Sequence, residues 1–180
     1  MSLFGPLLVA PNIASYATAF SGSSPTTATT SSIGYIWHSA TNTKRVEIYR
    51  ITASPGGGSG NFYTVRGRRI TAVSGTPGGL ALTAQQLDRD DPASTLTSTT
   101  GDLRLVPATP PTAGSANDIF CEAIGGTNTG QQFILFDVTK SGKPLVLRAS
   151  QAEGIEFRFV TPTTMTTGAV LSISVLWTEV

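Results

Sequence analysis

Residues 143–180 restrict the fold more than any other stretch of the chain. In the middle of it Ile155, Phe157 and Phe159 alternate with Glu156 and Arg158, and near its end Leu171, Ile173, Val175 and Trp177 alternate with Ser172, Ser174 and Thr178. A period of two sends successive side chains to opposite faces of an extended chain, so both segments read as strands with one face on a core. Glu156 and Arg158, on the other face, read as solvent-facing, as does Glu153 at the strand start. The connector 161–168 carries Pro162 and Gly168 and too little periodic apolar character for a crossover helix, which makes the two strands antiparallel neighbours. Trp177 belongs to the most apolar strand, and that strand is expected to be tied into a sheet.

The rest of the chain repeats this grammar. Strands are expected at 45–51, 62–65, 69–73, 80–87, 96–100, 103–106, 117–124 and 131–138, with 34–37 either a further strand or part of the N-terminal segment. Segment 80–87 also fits a short helix, but the alternation of Leu80, Leu82 and Ala84 favours a strand. In 45–51, Val46 and Ile48 share one face while Glu47, Tyr49 and Ile51 share the other, so both sides are expected to be partly covered. The run 131–138 is nearly unbroken apolar, as in a strand buried on both faces. Between the strands stand 54–60 and 125–130, rich in Gly, and 107–114, rich in Pro, which cannot join a ladder in its interior. Roughly eight to ten short strands with turn signals between them specify an all-β sandwich or barrel built as one antiparallel domain over 33–180. Residues 1–32 begin apolar and pass into a Ser/Thr-rich tract, 21–32, without hydrophobic periodicity, and read as an extended arm. Leu3, Phe4, Leu7, Leu8 and Val9 are its docking candidates, since exposing them all to water is unfavourable. Deleting 1–20 is expected to leave a folded domain.

Composition bears on partners. Charged residues make up 13% of the chain, and Lys+Arg 12 against Asp+Glu 11 leaves a formal net charge of +1, so no global field draws the chain to nucleic acid or to an anionic membrane. A surface covered mainly by Thr, Ser, Gly and Asn loses less hydration when it meets another protein than one rich in Lys and Glu. The one basic cluster, Arg66, Arg68 and Arg69 around Gly67, is expected at a turn between strands, as a solvated bend, a contact to another subunit or a phosphate patch. The glycine-rich 54–60 is not a phosphate loop, because no Gly-Lys-Ser/Thr follows it. No apolar run approaches the ~20 residues of a membrane span.

Catalytic apparatus is sparse. His38 is the only histidine and Cys121 the only cysteine. A Cys121 and His38 dyad is conceivable, but Cys121 sits in a strand pattern that suits a small buried hydrophobe. Glu47, Glu122, Glu153 and Glu156 are the candidates for a glycosidase pair. Asp88, Asp90 and Asp91 before Pro92 read as a polar turn and lack the spacing of a calcium loop. One histidine does not make a metal site of the two- or three-histidine types, and no Gly-x-Ser-x-Gly elbow occurs. The expectation is a non-enzymatic protein without a cofactor. Tyr35, Trp37 and Tyr63 are the aromatics that a glycan groove would use, or else they pack in the core.

Three stretches carry a family resemblance. Arg69-Ile-Thr-Ala-Val-Ser-Gly-Thr-Pro-Gly-Gly79, Leu82-Thr-Ala-Gln-Gln-Leu-Asp-Arg-Asp-Asp-Pro-Ala93 and Lys143-Pro-Leu-Val-Leu-Arg-Ala-Ser-Gln-Ala-Glu-Gly-Ile-Glu-Phe157 resemble the small jelly-roll virion proteins of tailed phages, over roughly a third of the chain. The chain departs from the pattern at Ala84 and Gln86, where that group carries Pro and Lys. The resemblance implies a jelly-roll capsid decoration, or cement, protein on the outer surface of the virion. It also implies a homotrimer whose partner is the major capsid protein, with no nucleic acid or membrane involved. A tail protein or a module that binds a host receptor or glycan is the alternative.

Overall fold

The computed structural model describes residues 14–23, 30–56, 62–75, 79–96, 101–105, 109–114, 119–126, 133–160 and 170–180. Its strands are β1 (Ser15–Ser23), β2 (Thr30–His38), β3 (Val46–Gly56), β4 (Phe62–Ala72), β5 (Leu80–Ala81), β6 (Gln85–Gln86), β7 (Gly101–Leu105), β8 (Thr112–Ala113), β9 (Ile119–Gly126), β10 (Phe133–Asp137), β11 (Leu145–Leu147), β12 (Glu153–Val160) and β13 (Val170–Glu179). The single helix among the described residues, α1 (Val138–Ser141), is one turn. Asp137 caps it by accepting from Thr139 N at 2.8 Å, and Gly142 ends it in the left-handed region at φ 71°.

The strands form two antiparallel sheets. One runs β10-β3-β13-β1-β6, with β11 also on β3; the other runs β5-β7-β2-β12-β4-β8, with β9 also on β4. The chain passes from one sheet to the other between β1 and β2, β2 and β3, β3 and β4, β5 and β6, β6 and β7, β9 and β10, β11 and β12, and β12 and β13. An all-β sandwich is therefore what the alternating pattern builds. Its core holds Tyr16 from β1, Ile36 from β2, Ile48 and Ile51 from β3, Val65 from β4, Leu103 from β7, Ile155 and Phe157 from β12, and Ile173, Val175 and Trp177 from β13. Tyr16 and Trp177, paired across β1 and β13, stack with ring centroids 5.9 Å apart.

Several expectations are corrected by the fold. Segment 1–32 is not all an arm: β1 pairs with β13 along its whole length, and β2 begins at Thr30. Small residues hide this in the sequence, because Ala14 and Thr18, with the aromatic Tyr16 between them, supply the buried face of β1. Residues 1–13, which hold Leu3, Phe4, Leu7, Leu8 and Val9, lie outside the described residues, as do 24–29. In β3 a register shift at the Leu176/Trp177 pairing lets Ile48 and Ile51, on opposite parities, both enter the core, so strict alternation fails there. The apolar β10 is an edge strand, not one buried on both faces, and Ile134 is 42% exposed. Segment 80–87 is two two-residue strands, one on each sheet, with Leu82 and Ala84 packed against the core and Leu80 and Leu87 outward.

The stretch around 88–96 is latched to the ends of β1 and β13. Ser15 N donates to Asp91 Oδ2 at 2.9 Å and the Tyr16 hydroxyl to Pro92 O at 2.9 Å. The carboxylate of Glu179, 4% exposed, accepts from Ser94 Oγ, from Thr95 N at 2.9 Å, from Thr95 Oγ1 at 2.7 Å and from Trp177 Nε1 at 3.3 Å. A buried carboxylate so fully satisfied fastens an irregular segment over the open end of the core.

Candidate functional site: the arginines of β4 and β12

The basic cluster is not at a turn. Phe62–Ala72 is one continuous strand between β12 and the pair β8 and β9, and Arg66, Arg68 and Arg69 lie within it. Gly67 is what allows this. A Cβ there would stand 2.5 Å from Cys121 Sγ and 2.6 Å from Phe120 Cζ, so β9 approaches β4 too closely for any side chain.

Strand alternation divides the cluster. Arg66 and Arg68 share the outer face of the sheet with their register partners on β12, Arg158 and Glu156. Tyr35 lies across from Glu156 on β2, and Glu122 across from Arg66 on β9. Glu156 is 0% exposed, which corrects its solvent-facing reading. Arg68 Nε donates to Glu156 Oε2 at 2.6 Å, and Arg158 Nε stands 3.7 Å from Glu156 Oε1. Burial holds the Arg158 guanidinium below the usual arginine range; Glu156 opposes that shift, and Arg68 and Arg66 add to it. The side chains of Arg68 and Arg158 are only 19% and 21% exposed, so the carboxylate is enclosed together with both of its partners. With no exposed surface, Glu156 presents nothing to a substrate.

Arg69 has the opposite parity. It reaches toward the other sheet, where its Nη1 donates to Val146 O of β11 at 2.8 Å. There it joins Ile70, Thr71, Val146, Arg148 and Glu153 around a cleft of about 490 Å³. Glu153 accepts from Arg148 Nε at 3.3 Å and Nη2 at 2.9 Å, and its side chain is 16% exposed, so it is paired and half-covered where solvent was expected. Burial raises the Glu153 pKa, but the hydrogen bonds from Arg148 and the charges of Arg148 and Arg69 outweigh it and hold the carboxyl below its ordinary value. The Arg148 guanidinium is raised in return by the same partner. Thr71 Oγ1 donates to Ala113 O at 3.3 Å. Arg148 escaped notice in the sequence, although opposite charges flanking the four-residue turn 149–152 were a usable signal.

The remaining candidates serve the scaffold. His38 is fully buried on β2, with Nδ1 3.0 Å from Gln151 O and Nε2 2.7 Å from Lys44 O. Cys121 is on β9, and β12 and β4 lie between β9 and β2. Three strand spacings of roughly 4.8 Å put the two backbones about 14 Å apart, so the dyad is not assembled. Glu47 is in the other sheet, bound by Arg45 and by the Tyr49 hydroxyl at 2.8 Å. Glu153 and Glu156 have opposite parity on β12, and the side chain of Glu122 lies outside the described residues. The glycosidase candidates whose side chains are described thus share no cleft. Asp88 accepts from Asp90 N at 3.0 Å and Asp91 holds Ser15, which is the expected polar turn. Among the described residues no group of His, Cys, Asp and Glu is placed to hold a metal ion, and no helix is long and apolar enough to cross a membrane. Tyr35 is fully buried and offers no face to a sugar, Trp37 is half-buried, and the Tyr63 side chain lies outside the described residues. No protein-family model matches the chain, and no curated protein matches it.

Proposed function

We propose that this chain is a non-enzymatic virion protein, a capsid decoration or cement protein that sits on the outer surface of the major capsid lattice, as a homotrimer, and stabilises it. The observation that carries the reading is the strand order. One sheet contains β1, β13, β3 and β10 side by side, and the other β2, β12, β4 and β9. Taken in chain order, those eight strands switch sheets as a jelly roll does, and double-sheet jelly rolls recur in viral capsid proteins and lectins. Fold alone does not fix function, so the surface chemistry matters. Here Arg68, Arg158 and Glu156, Arg148 and Glu153, and Arg45 and Glu47 pair within the chain, in a sequence with only 13% charged residues. Few ions then lose water when the Thr/Ser/Gly-rich exterior meets a shell, which favours broad contact of modest strength per unit area. Binding the assembled lattice and not its free subunits stabilises the lattice by mass action.

Densitometry of purified particles tests this. A decoration protein is present at near-stoichiometric ratio to the major shell protein, and treatment that strips it lowers the temperature at which particles open. A few copies per particle would move the chain to the tail, and absence from particles would end the reading. The alternative, a receptor- or glycan-binding module, is favoured by one feature, the cleft at Arg69 and Arg148.

A further inference from the structure

We infer that the cleft lined by Arg69, Ile70, Thr71, Val146, Arg148 and Glu153 is a binding site for a small carboxylate-bearing sugar, a uronic acid or a glycan residue of that kind. The inference does not rest on the capsid reading, and its failure would leave that reading untouched.

The volume of about 490 Å³ lies in the range of small-molecule sites and has room for a ring as well as its acid group. Charge selects the ligand. The lining carries two guanidinium groups and one carboxylate, a set that suits an anion.

Geometry selects the carboxylate as the anion. Arg148 has five N–H donors in a planar fork, and Glu153 takes Nε and one N–H of Nη2. The side chain lines the cleft and is still 69% exposed, so Nη1 and the second Nη2 hydrogen remain for a ligand, in the spacing that a carboxylate accepts in bidentate fashion. Glu153 holds that fork in place before a ligand arrives, which lowers the ordering cost of binding. Arg69, pinned to Val146 O across the two sheets, contributes a second positive charge at a fixed position.

Hydroxyl recognition is also available. Thr71 Oγ1 spends its hydrogen on Ala113 O and keeps acceptor capacity; Glu153 Oε1 is taken up by Arg148 N and Nε, and Oε2, which accepts one bond from Nη2, keeps room for a hydroxyl hydrogen. Val146, the partly exposed apolar residue of the lining, supplies the surface against which the C–H face of a sugar ring lies, with Ile70 fully buried behind it.

The test is NMR titration of the full chain with galacturonate, its methyl ester, galactose, inorganic phosphate and N-acetyl-glutamate amide, at roughly millimolar concentrations. Galacturonate is expected to shift the amide signals of β11, the start of β12 and the end of β4, and to bind at least about tenfold more tightly than any of the other four. Arg148→Gln, at an exposed position, is expected to keep the folded spectrum and weaken galacturonate by about tenfold or more, and Thr71→Val to weaken it by a smaller factor. Equal binding of the methyl ester or galactose would overturn the proposal, because the carboxylate would then contribute nothing. Equal binding of N-acetyl-glutamate amide or phosphate would overturn it as well, since the site would be reading charge without a sugar. So would the absence of any shift at the cleft.

Discussion

At the scale of single residues, the most consequential feature is a carboxylate with no access to water. Glu156 is paired with Arg68 and Arg158, and removing it would take its charge away from two partly buried guanidinium groups. Glu156→Ala is expected to cost about 3–5 kcal/mol in urea-unfolding measurements, the usual cost of breaking one side of a buried pair. A loss under about 1 kcal/mol would mean that water already compensates the arginines. Tyr16 gives a prediction about pH. Its burial, with Glu179 and Asp91 adding negative charge nearby, pushes its pKa up to about 12. The folded chain therefore keeps a proton that the unfolded chain releases near pH 10. Stability is full below that value and falls as pH rises through about 12, by on the order of 2–3 kcal/mol. Tyr16→Phe, which loses the bond to Pro92 O, is expected to be less stable at neutral pH and to show a shallower alkaline decline. An unchanged decline would remove Tyr16 as its source. Neither residue was legible as buried in the sequence: Glu156 sits on the polar parity of β12, and its burial comes from neighbours on other strands, Arg68 of β4 and Tyr35 of β2, together with Arg158.

At the scale of elements, β12 is the centre of its sheet, and Gly154 decides how closely its neighbours approach. A Cβ there would run into the carbonyl oxygen of Ile36, a backbone atom that does not swing aside, and would press on Ile70 and Trp37 at 3.0 Å each. Gly154→Ala is expected to cost about 3 kcal/mol or more, and Gly67→Ala, whose obstacles are the Cys121 and Phe120 side chains, nearer 1–3 kcal/mol. Thermal unfolding of the two variants side by side checks the order. Reversal would mean that β2 moves more readily than β9. The other element-scale device is the Glu179 latch on Ser94 and Thr95. Glu179→Ala is expected to release 88–96, seen as faster amide exchange there before any change in β13. Equal exchange in the two regions would show that the latch and the strand open together. The strands of the closing segment were readable because Ile155, Phe157, Ile173, Val175 and Trp177 alternate cleanly, but they are not the antiparallel neighbours expected: β12 pairs with β2 and β4 and β13 with β1 and β3, in different sheets. The misreading of 62–73 as two strands and a turn came from treating Arg66, Gly67, Arg68 and Arg69 as polar punctuation. In fact one parity meets Glu156 and the other bridges to the second sheet.

At the scale of the whole molecule, the two sheets set where a truncation is tolerated. Deleting 1–13 leaves every described strand in place, whereas deleting 1–20 removes most of β1 and uncovers the edge of β13 and the face of Trp177. The shorter deletion is expected to give a chain of near-native melting temperature, with weakened particle occupancy if the proposed decoration role holds, and the longer one an unfolded or aggregating chain. A folded 1–20 deletion would show that β1 contributes little to the sandwich. Full particle occupancy by the 1–13 deletion would remove Leu3, Phe4, Leu7, Leu8 and Val9 from the contact. By itself the sequence determined that this is an all-β antiparallel sandwich or barrel of low charge content, because side-chain period and composition are local quantities that each segment carries along its own length. The tertiary structure alone decided that Ser15–Ser23 is a core strand, that Glu156 is buried, and that Arg69, Arg148 and Glu153 meet at one cleft. Those outcomes depend on which strands lie side by side and in what register, and pairing between segments scores of residues apart leaves no mark on either segment alone.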